Sequence, residues 1–257
     1  MLDAFVESDA AAESGALRAE MAERGYLFFR GLVPAEDVLR VRRATLAFCA
    51  EAGWLDEAHG LDAGVVRAGQ PPLTEGMPAY MAVYRRVLHQ PDFYAFPEHP
   101  ALRGVAGALL GDGLLVHPRR IGRITFPNYQ EATTPAHQDH FYIRGAVETY
   151  SCWTPLGDCP EALGGLAVAP GTHRLGYLEH TEHHRGAVGG RGVPTSSVET
   201  WHTADFRAGD ALFFHAFTIH KALPNLSADR LRLSTDNRYQ RAADEIDPGA
   251  LGTHYGL

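Results

Sequence analysis

The sequence predicts an antiparallel β-sandwich with helices packed on its outside. Residues 1–111 carry apolar stripes at helical spacing. The chain then changes to short runs of β-forming residues punctuated by Gly, Pro or Asn. No helical periods separate those runs, which argues against a parallel βαβ sheet. No repeat, low-complexity tract or linker divides the 257 residues. One domain over 1–257 is expected, helix-rich over 1–111 with a sandwich core at about 112–240.

The stretch 25–32, GYLFFRGL, reads as a first strand ending in a turn. A helix follows over 34–54, with Val38, Val41, Thr45 and Phe48 in one stripe. Pro34 opens it, and Glu36 and Asp37 fall in its first turn, where acids favour the helix dipole. Residues 55–76 are rich in Gly and Pro and read as a loop. Residues 79–90 place Tyr80, Val83, Tyr84, Val87 and Leu88 on one helical face. Residues 100–111 repeat the pattern, with Gly111 suited to a C-cap. Strands are expected over 114–126, 147–155, 164–170, 210–215 and 230–240. Between the third and fourth of these lies a long connection, 171–209, rich in Gly, His and Thr. Structureless loops of that length are uncommon and often serve as lids or binding loops.

Composition narrows the function. The hydrophobic fraction is 45% and the charged fraction 21%, as in a globular protein. A net charge of −8 argues against non-specific nucleic-acid binding, which needs a basic surface. No run of about 18 apolar residues suggests a membrane span, and the acidic N-terminus has no signal-peptide pattern. Cys49, Cys152 and Cys159 form no C-x-x-C pair, which argues against a disulfide framework or a cysteine zinc site. A reducing cytoplasm is the expected compartment.

The sharpest chemical signal lies in PAHQDHFYI, residues 135–143. On a strand, residues i and i+2 share a face, so His137 and Asp139 would offer an imidazole and a carboxylate to one point. The triplet alone proves nothing: with 14 His and 31 acids, roughly two His-x-acid triplets are expected by chance. His180-x-Glu182 is a second example. A third ligand for the first is available in GDALFFHAFTIHKALPN, residues 209–225, where His220 follows a buried-type strand. Two histidines and one carboxylate on one face of an octahedron leave three positions open, which suits non-haem iron(II). The strand RLRLSTDNRYQ then alternates Arg230, Arg232, Ser234, Asp236 and Arg238 with apolar or small residues. An arginine there, helped by a serine hydroxyl, could grip the distal carboxylate of a 2-oxo acid.

The ordered set of H-Q-D, W153-T-P-L, EALGGLAVAPGTH at 161–173, GDALFFHAFTIHKALPN and R-L-S resembles the phytanoyl-CoA dioxygenase family, over roughly residues 20–240. The resemblance implies a double-stranded β-helix, or jelly roll, flanked by N-terminal helices. It implies a dioxygenase using iron(II), 2-oxoglutarate and O₂ to hydroxylate an unactivated C–H of a small molecule, with succinate and CO₂ as co-products. It places the iron on His137, Asp139 and His220 and the distal carboxylate of 2-oxoglutarate on Arg232 with Ser234. Arg232 stands about one residue farther from His220 than the family pattern expects, and Arg230 shares its face as a rival. Arg120 and Arg123 lie on a strand that often adds a polar contact to the co-substrate. Asp139 occupies the position that related halogenases give to a small residue, so hydroxylation is favoured over halogenation.

The other histidines read differently. His180, His183 and His184 have no second half-site and read as a solvated loop. His173 is expected to shape a turn, and His215 to be structural or pocket-lining. His140 is not expected to be a ligand, although it and Tyr142 could line the pocket. Trp153 is expected in the core. The segments 55–76 and 171–209 are the lid candidates. Arginines near the pocket hint at an anionic substrate. Two rival readings remain: a non-catalytic jelly-roll binding protein, and a zinc hydrolase using the same three ligands.

Overall fold

The computed structural model describes residues 1–184, 188–196 and 198–257. In chain order its strands are β1 Leu2–Ala4, β2 Tyr26–Phe29, β3 Leu114–Val116, β4 Ile121–Thr125, β5 Tyr150–Pro155, β6 Leu166–Val168, β7 Glu182–His183, β8 Arg191–Gly192, β9 Trp201–Thr203, β10 Ala211–His215, β11 His220–Ala222 and β12 Arg232–Arg241. Its α-helices are α1 Ser14–Arg24, α2 Ala35–Glu51, α3 Pro78–Leu88, α4 Pro91–Ala95, α5 Pro100–Leu110 and α6 His140–Ile143.

Two sheets make the jelly-roll sandwich. The larger runs β2-β10-β5-β12-β3, with β4 also paired to β12. The smaller runs β1-β9-β6-β11. The strands of the larger sheet are buried on both faces, and their alternation divides the core in two. Tyr26 and Phe28, Leu212 and Phe214, and Trp153 face the smaller sheet, where they meet Leu166 and Val168. Leu27 and Phe29, Ala211 and Phe213, and Leu233 and Tyr239 face the other way. There they meet the apolar stripes of the helices, including Leu17, Val38, Val83 and Leu102. The N-terminal helices thus cover the outer face of the large sheet.

β12 holds its sheet together at the centre of the site. It pairs with β5 on one side and with β4 and β3 on the other. Leu233 packs under the helices, so Arg232, Ser234, Asp236 and Arg238 turn to the interior of the sandwich.

Several elements differ from the sequence expectation. The single strand expected over 114–126 is two strands, β3 and β4, separated by residues 117–120. Pro118 accounts for the break, since it cannot donate to a sheet ladder. Residues 171–209 are not one loop. They contain a 3₁₀ turn at Thr172–Leu175, the β7–β8 hairpin and β9, which pairs with both β6 and the N-terminal β1. Positions 185–187 and 197 of that segment lie outside the described residues. HQD is not on a regular strand. His137 forms an isolated antiparallel bridge with His220, and Asp139, at φ −62° and ψ −30°, begins the short helix α6.

Candidate metal centre

The His137–His220 bridge is the frame of the site. Each residue's backbone N–H donates to the other's carbonyl, at 3.0 and 3.1 Å. The pairing holds the two imidazoles side by side, with ring centroids 4.1 Å apart. The chain then turns into α6, which brings the Asp139 carboxylate back towards both rings. Asp139 Oδ1 lies 3.5 Å from His137 Nε2 and 3.7 Å from His220 Nε2. The three side chains are buried, and one ligand atom from each lies within 4.8 Å of the other two.

The hydrogen bonds fix what those atoms are. His137 Nδ1 faces the Pro135 carbonyl at 2.8 Å, and His220 Nδ1 faces the Thr218 carbonyl at 3.0 Å. A carbonyl only accepts, so each Nδ1 carries the proton and each Nε2 presents a lone pair. Burial, with His137 beside it, pushes the His220 imidazole down to about 3, which keeps it neutral. Burial alone would raise the Asp139 carboxyl; the Arg238 guanidinium overrides this and holds it well below the ordinary carboxylate range. Two imidazole Nε2 atoms and one anionic oxygen therefore converge on one point. The donor set fits a divalent metal with open positions.

The fit extends to a dicarboxylate. Arg232 is buried, and among the described residues its only side-chain hydrogen bond runs from Nη1 to Ser234 Oγ at 2.7 Å. Its Nε has no partner, and no carboxylate pairs with it among the described residues. Burial lowers its pKa, the sign of a guanidinium short of a counter-ion. Arg232 lines the same cavity, of about 270 Å³, as His137, Asp139 and His220. Arg230, the rival, is exposed.

The other expected contacts divide. Arg123 lines the cavity but is already paired, with Glu75 and with Asp236 at 3.3 Å. Those carboxylates outweigh the burial that would lower its pKa and raise it instead. Arg120 does not line the cavity: it stacks over Tyr94 at 3.8 Å and pairs with Glu98 at 3.2 Å. It precedes β4, on which Ile121 and Arg123 face inward. His140 turns away to Phe217 and Tyr177, while Tyr142 lines the cavity. Trp153 is in the core and also reaches the cavity. His215 packs among Tyr150, His173 and Phe217.

His180 is a staple rather than a solvated loop residue. Its Nε2 accepts from the Gln138 backbone N–H at 3.1 Å, and its ring stacks on Phe141 at 4.1 Å. His184 and Glu182 form a separate exposed pair at 3.4 Å.

Five contributors went unseen in the sequence. Ser151 and Arg238 hold Asp139, Arg119 enters the cavity beside Tyr142, and Glu75 with His254 closes one end. Only Arg238 carried a signal, its place on the polar face of β12.

The sequence model of the family described as Phytanoyl-CoA dioxygenase (PhyH) matches residues 21–233. The chain belongs to this family. Its enzyme class is accordingly that of a 2-oxoglutarate-dependent dioxygenase. Within the family's range it is similar to the 1-deoxypentalenic acid 11-beta-hydroxylase of Streptomyces exfoliatus, 30% identical over 89% of this chain and 82% of the relative. The enzyme of that name from Streptomyces arenae is 31% identical over the same shares. Among solved structures, the epimerase SnoN in complex with Fe3+, alpha ketoglutarate and nogalamycin RO superposes with a TM-score of 0.63. It is 23% identical and covers 92% of this chain and 86% of its own. The alpha ketoglutarate-dependent carbocyclase SnoK also gives 0.63, at 22% identity over 95% and 90%. Both share the fold.

Proposed function

We propose that this protein hydroxylates an unactivated C–H of a largely apolar small molecule bearing one carboxylate. In this reading His137, Asp139 and His220 hold iron(II), and Arg232 with Ser234 holds the distal carboxylate of 2-oxoglutarate. Bound together, iron(II), 2-oxoglutarate and O₂ supply the oxidising equivalents that turn C–H into C–OH, with 2-oxoglutarate leaving as succinate and CO₂. The chain's own part is to keep three metal positions open, orient the co-substrate and exclude water.

The observation that carries the reading is the convergence of two imidazole nitrogens and a carboxylate oxygen in one cavity with a buried arginine that has no counter-ion among the described residues. A zinc hydrolase has no use for Arg232 in that cavity, and a pure binding module has no use for the open triad.

Charge supports the carboxylate on the substrate. Among the described residues four arginines line the cavity, Arg119, Arg123, Arg232 and Arg238, against three carboxylates, Glu75, Asp139 and Asp236. Iron(II) and the 2-oxoglutarate dianion cancel each other, so one positive charge is left. It resides on Arg119, which among the described residues hydrogen-bonds only to the carbonyls of Tyr142, at 3.4 Å, and Gly249, with its Nε unpartnered. Burial and the nearby Arg238 lower its pKa, so an anion there would relieve both. Ile121, Ile124, Phe126, Ile143 and Leu166 supply the apolar wall. The Streptomyces relatives act, by name, on an acid of this kind.

The test is a screen of apolar carboxylic acids with iron(II), ascorbate and 2-oxoglutarate, read by succinate. A turned-over acid should fail as its methyl ester, and Arg119→Met should raise its KM about 30-fold, the worth of one charge-assisted contact of about 2 kcal/mol. His137→Ala should give no succinate. Full turnover by His137→Ala would remove the metal assignment, and equal use of acid and ester would remove the carboxylate.

One domain over the whole chain and a reducing cytoplasm complete the proposal. Its three cysteines are free and buried, with burial raising each thiol. No helix among the described residues is long and apolar enough to cross a membrane.

A further inference from the structure

The two oxygens of Asp139 live in different surroundings. Oδ1 faces the two histidine Nε2 atoms, at 3.5 and 3.7 Å, and among the described residues no other side chain approaches it as a donor. Oδ2 accepts three: from Ser151 Oγ, from Arg238 Nε at 3.1 Å and from Arg238 Nη2 at 2.9 Å. Arg238 and Ser151 are both buried and sit opposite each other in the β12–β5 register. The clamp is therefore built into the ladder of the large sheet, not into a loop.

We propose that Arg238, seconded by Ser151, is the positioning residue that makes Asp139 a one-oxygen ligand. A carboxylate can close on a metal with both oxygens. Here the second oxygen is saturated by three donors, two of them the Nε and Nη2 of one guanidinium converging on that same atom. Turning Oδ2 onto the metal would break all three bonds and strand a buried guanidinium. Asp139 is thereby limited to one metal position. With the two histidines it would take three, and the remaining positions would be left to 2-oxoglutarate and O₂. Without the clamp a fourth position could close, and the chelate would compete with Asp139 itself. This inference rests on the metal assignment proposed above.

Two effects of Arg238 must be separated. Its positive charge repels a metal, and its fork orients the ligand. Arg238→Lys keeps the charge and loses the fork; Arg238→Met loses both. The measurement is an anaerobic titration of the full-length iron(II)-loaded protein with 2-oxoglutarate, followed by the visible charge-transfer band of the chelate, with melting curves as the folding control. Positioning predicts that both variants bind 2-oxoglutarate at least about 10-fold more weakly, on the scale of lost metal-support contacts, with a shifted band. Ser151→Ala, which removes one donor of three and little volume, should move both readouts the same way by a smaller factor. It serves as the test if the arginine variants do not fold. If Arg238→Lys, or Ser151→Ala in that event, gives the wild-type affinity and band, the clamp is a counter-charge only and the proposal is wrong. His137→Ala runs alongside: if it still forms the wild-type chelate, the metal assignment itself has failed, not the clamp.

Discussion

HQD divides its labour residue by residue. His137 and Asp139 turn towards His220, while the glutamine between them does structural work. Gln138 Nε2 donates to the Gly176 and Phe217 carbonyls, each at 2.8 Å, and its Oε1 accepts from Leu178 N–H at 2.8 Å. It ties the segment after β6 to the turn before β11, beside His137, Asp139 and His220. Arg232 permits a clean prediction. Arg232→Ala should raise the KM for 2-oxoglutarate about 30-fold, the loss of a charge-assisted contact of about 2 kcal/mol. Iron(II) affinity, measured by chelator competition, should stay unchanged; a loss of iron instead would place Arg232 at the metal. Much of this was legible in residue order. The H-x-D pair, a distal histidine and R-x-S carry chemical types in sequence, so they can be read from it. Arg119, Ser151 and Glu75 could not be, because nothing local distinguishes them from other polar residues.

Elements were legible where their periodicity was strong. Helices α2, α3 and α5 fall within a few residues of expectation because each carries a long apolar stripe. β12 was legible through its period of two. β1 and β9 were not, being three residues each and stabilised by pairing with distant chain. Turns between elements carry their own constraints. Gly164 leads into β6 at φ +71°, and a Cβ there would lie 2.3 Å from the Pro224 carbonyl oxygen. Gly164→Ala should therefore cost more than the ~1 kcal/mol of a merely unfavourable backbone, because backbone must also move. Since Leu223 N–H donates to the Gly165 carbonyl beside β11, the loss should reach the His220 strand. A chemical denaturation midpoint equal to wild type would show that the turn yields without strain.

At the scale of the whole molecule, the cavity is walled by segments far apart in sequence. Glu75, at the end of the 55–76 loop, meets Arg123 on β4 and lies 3.5 Å from His254 near the C-terminus. His254 in turn meets the Tyr84 hydroxyl on α3 at 2.6 Å. Val188 and Gly189, with Tyr142 hydrogen-bonded to the Gly189 carbonyl at 3.2 Å, supply another wall. Both lid candidates thus reach the cavity, and a third segment joins them. Burial of histidines across the fold also sets its acid response. Burial, the largest cause in each, pushes His117 down to about 4 and His220 and His254 down to about 3, from an ordinary 6.5. The unfolded chain takes up these protons first as pH falls. The stability they allow is complete above pH 6.5 and is lost as pH falls towards 4 and then 3. Each proton steepens the loss by about 1.4 kcal/mol per pH unit. Denaturation midpoints at pH 7, 5.5 and 4.5 should fall progressively, and a flat series would mean that these rings are protonated in the native state.

The sequence by itself determined the class of fold, the family pattern and the types of the residues proposed to hold the metal, because those properties are written in periodicity and in the order of a few chemical groups. Tertiary structure alone decided that a bridge and a helix start, not a strand face, bring His137 and Asp139 together. It also decided that Arg232, and not the exposed Arg230, lies buried in the cavity with no carboxylate partner among the described residues, that Arg123 is already neutralised, and that Arg238 grips the spare oxygen of Asp139. Pairing and burial depend on what lies across the sandwich, and a linear sequence does not say which neighbour a charge will meet.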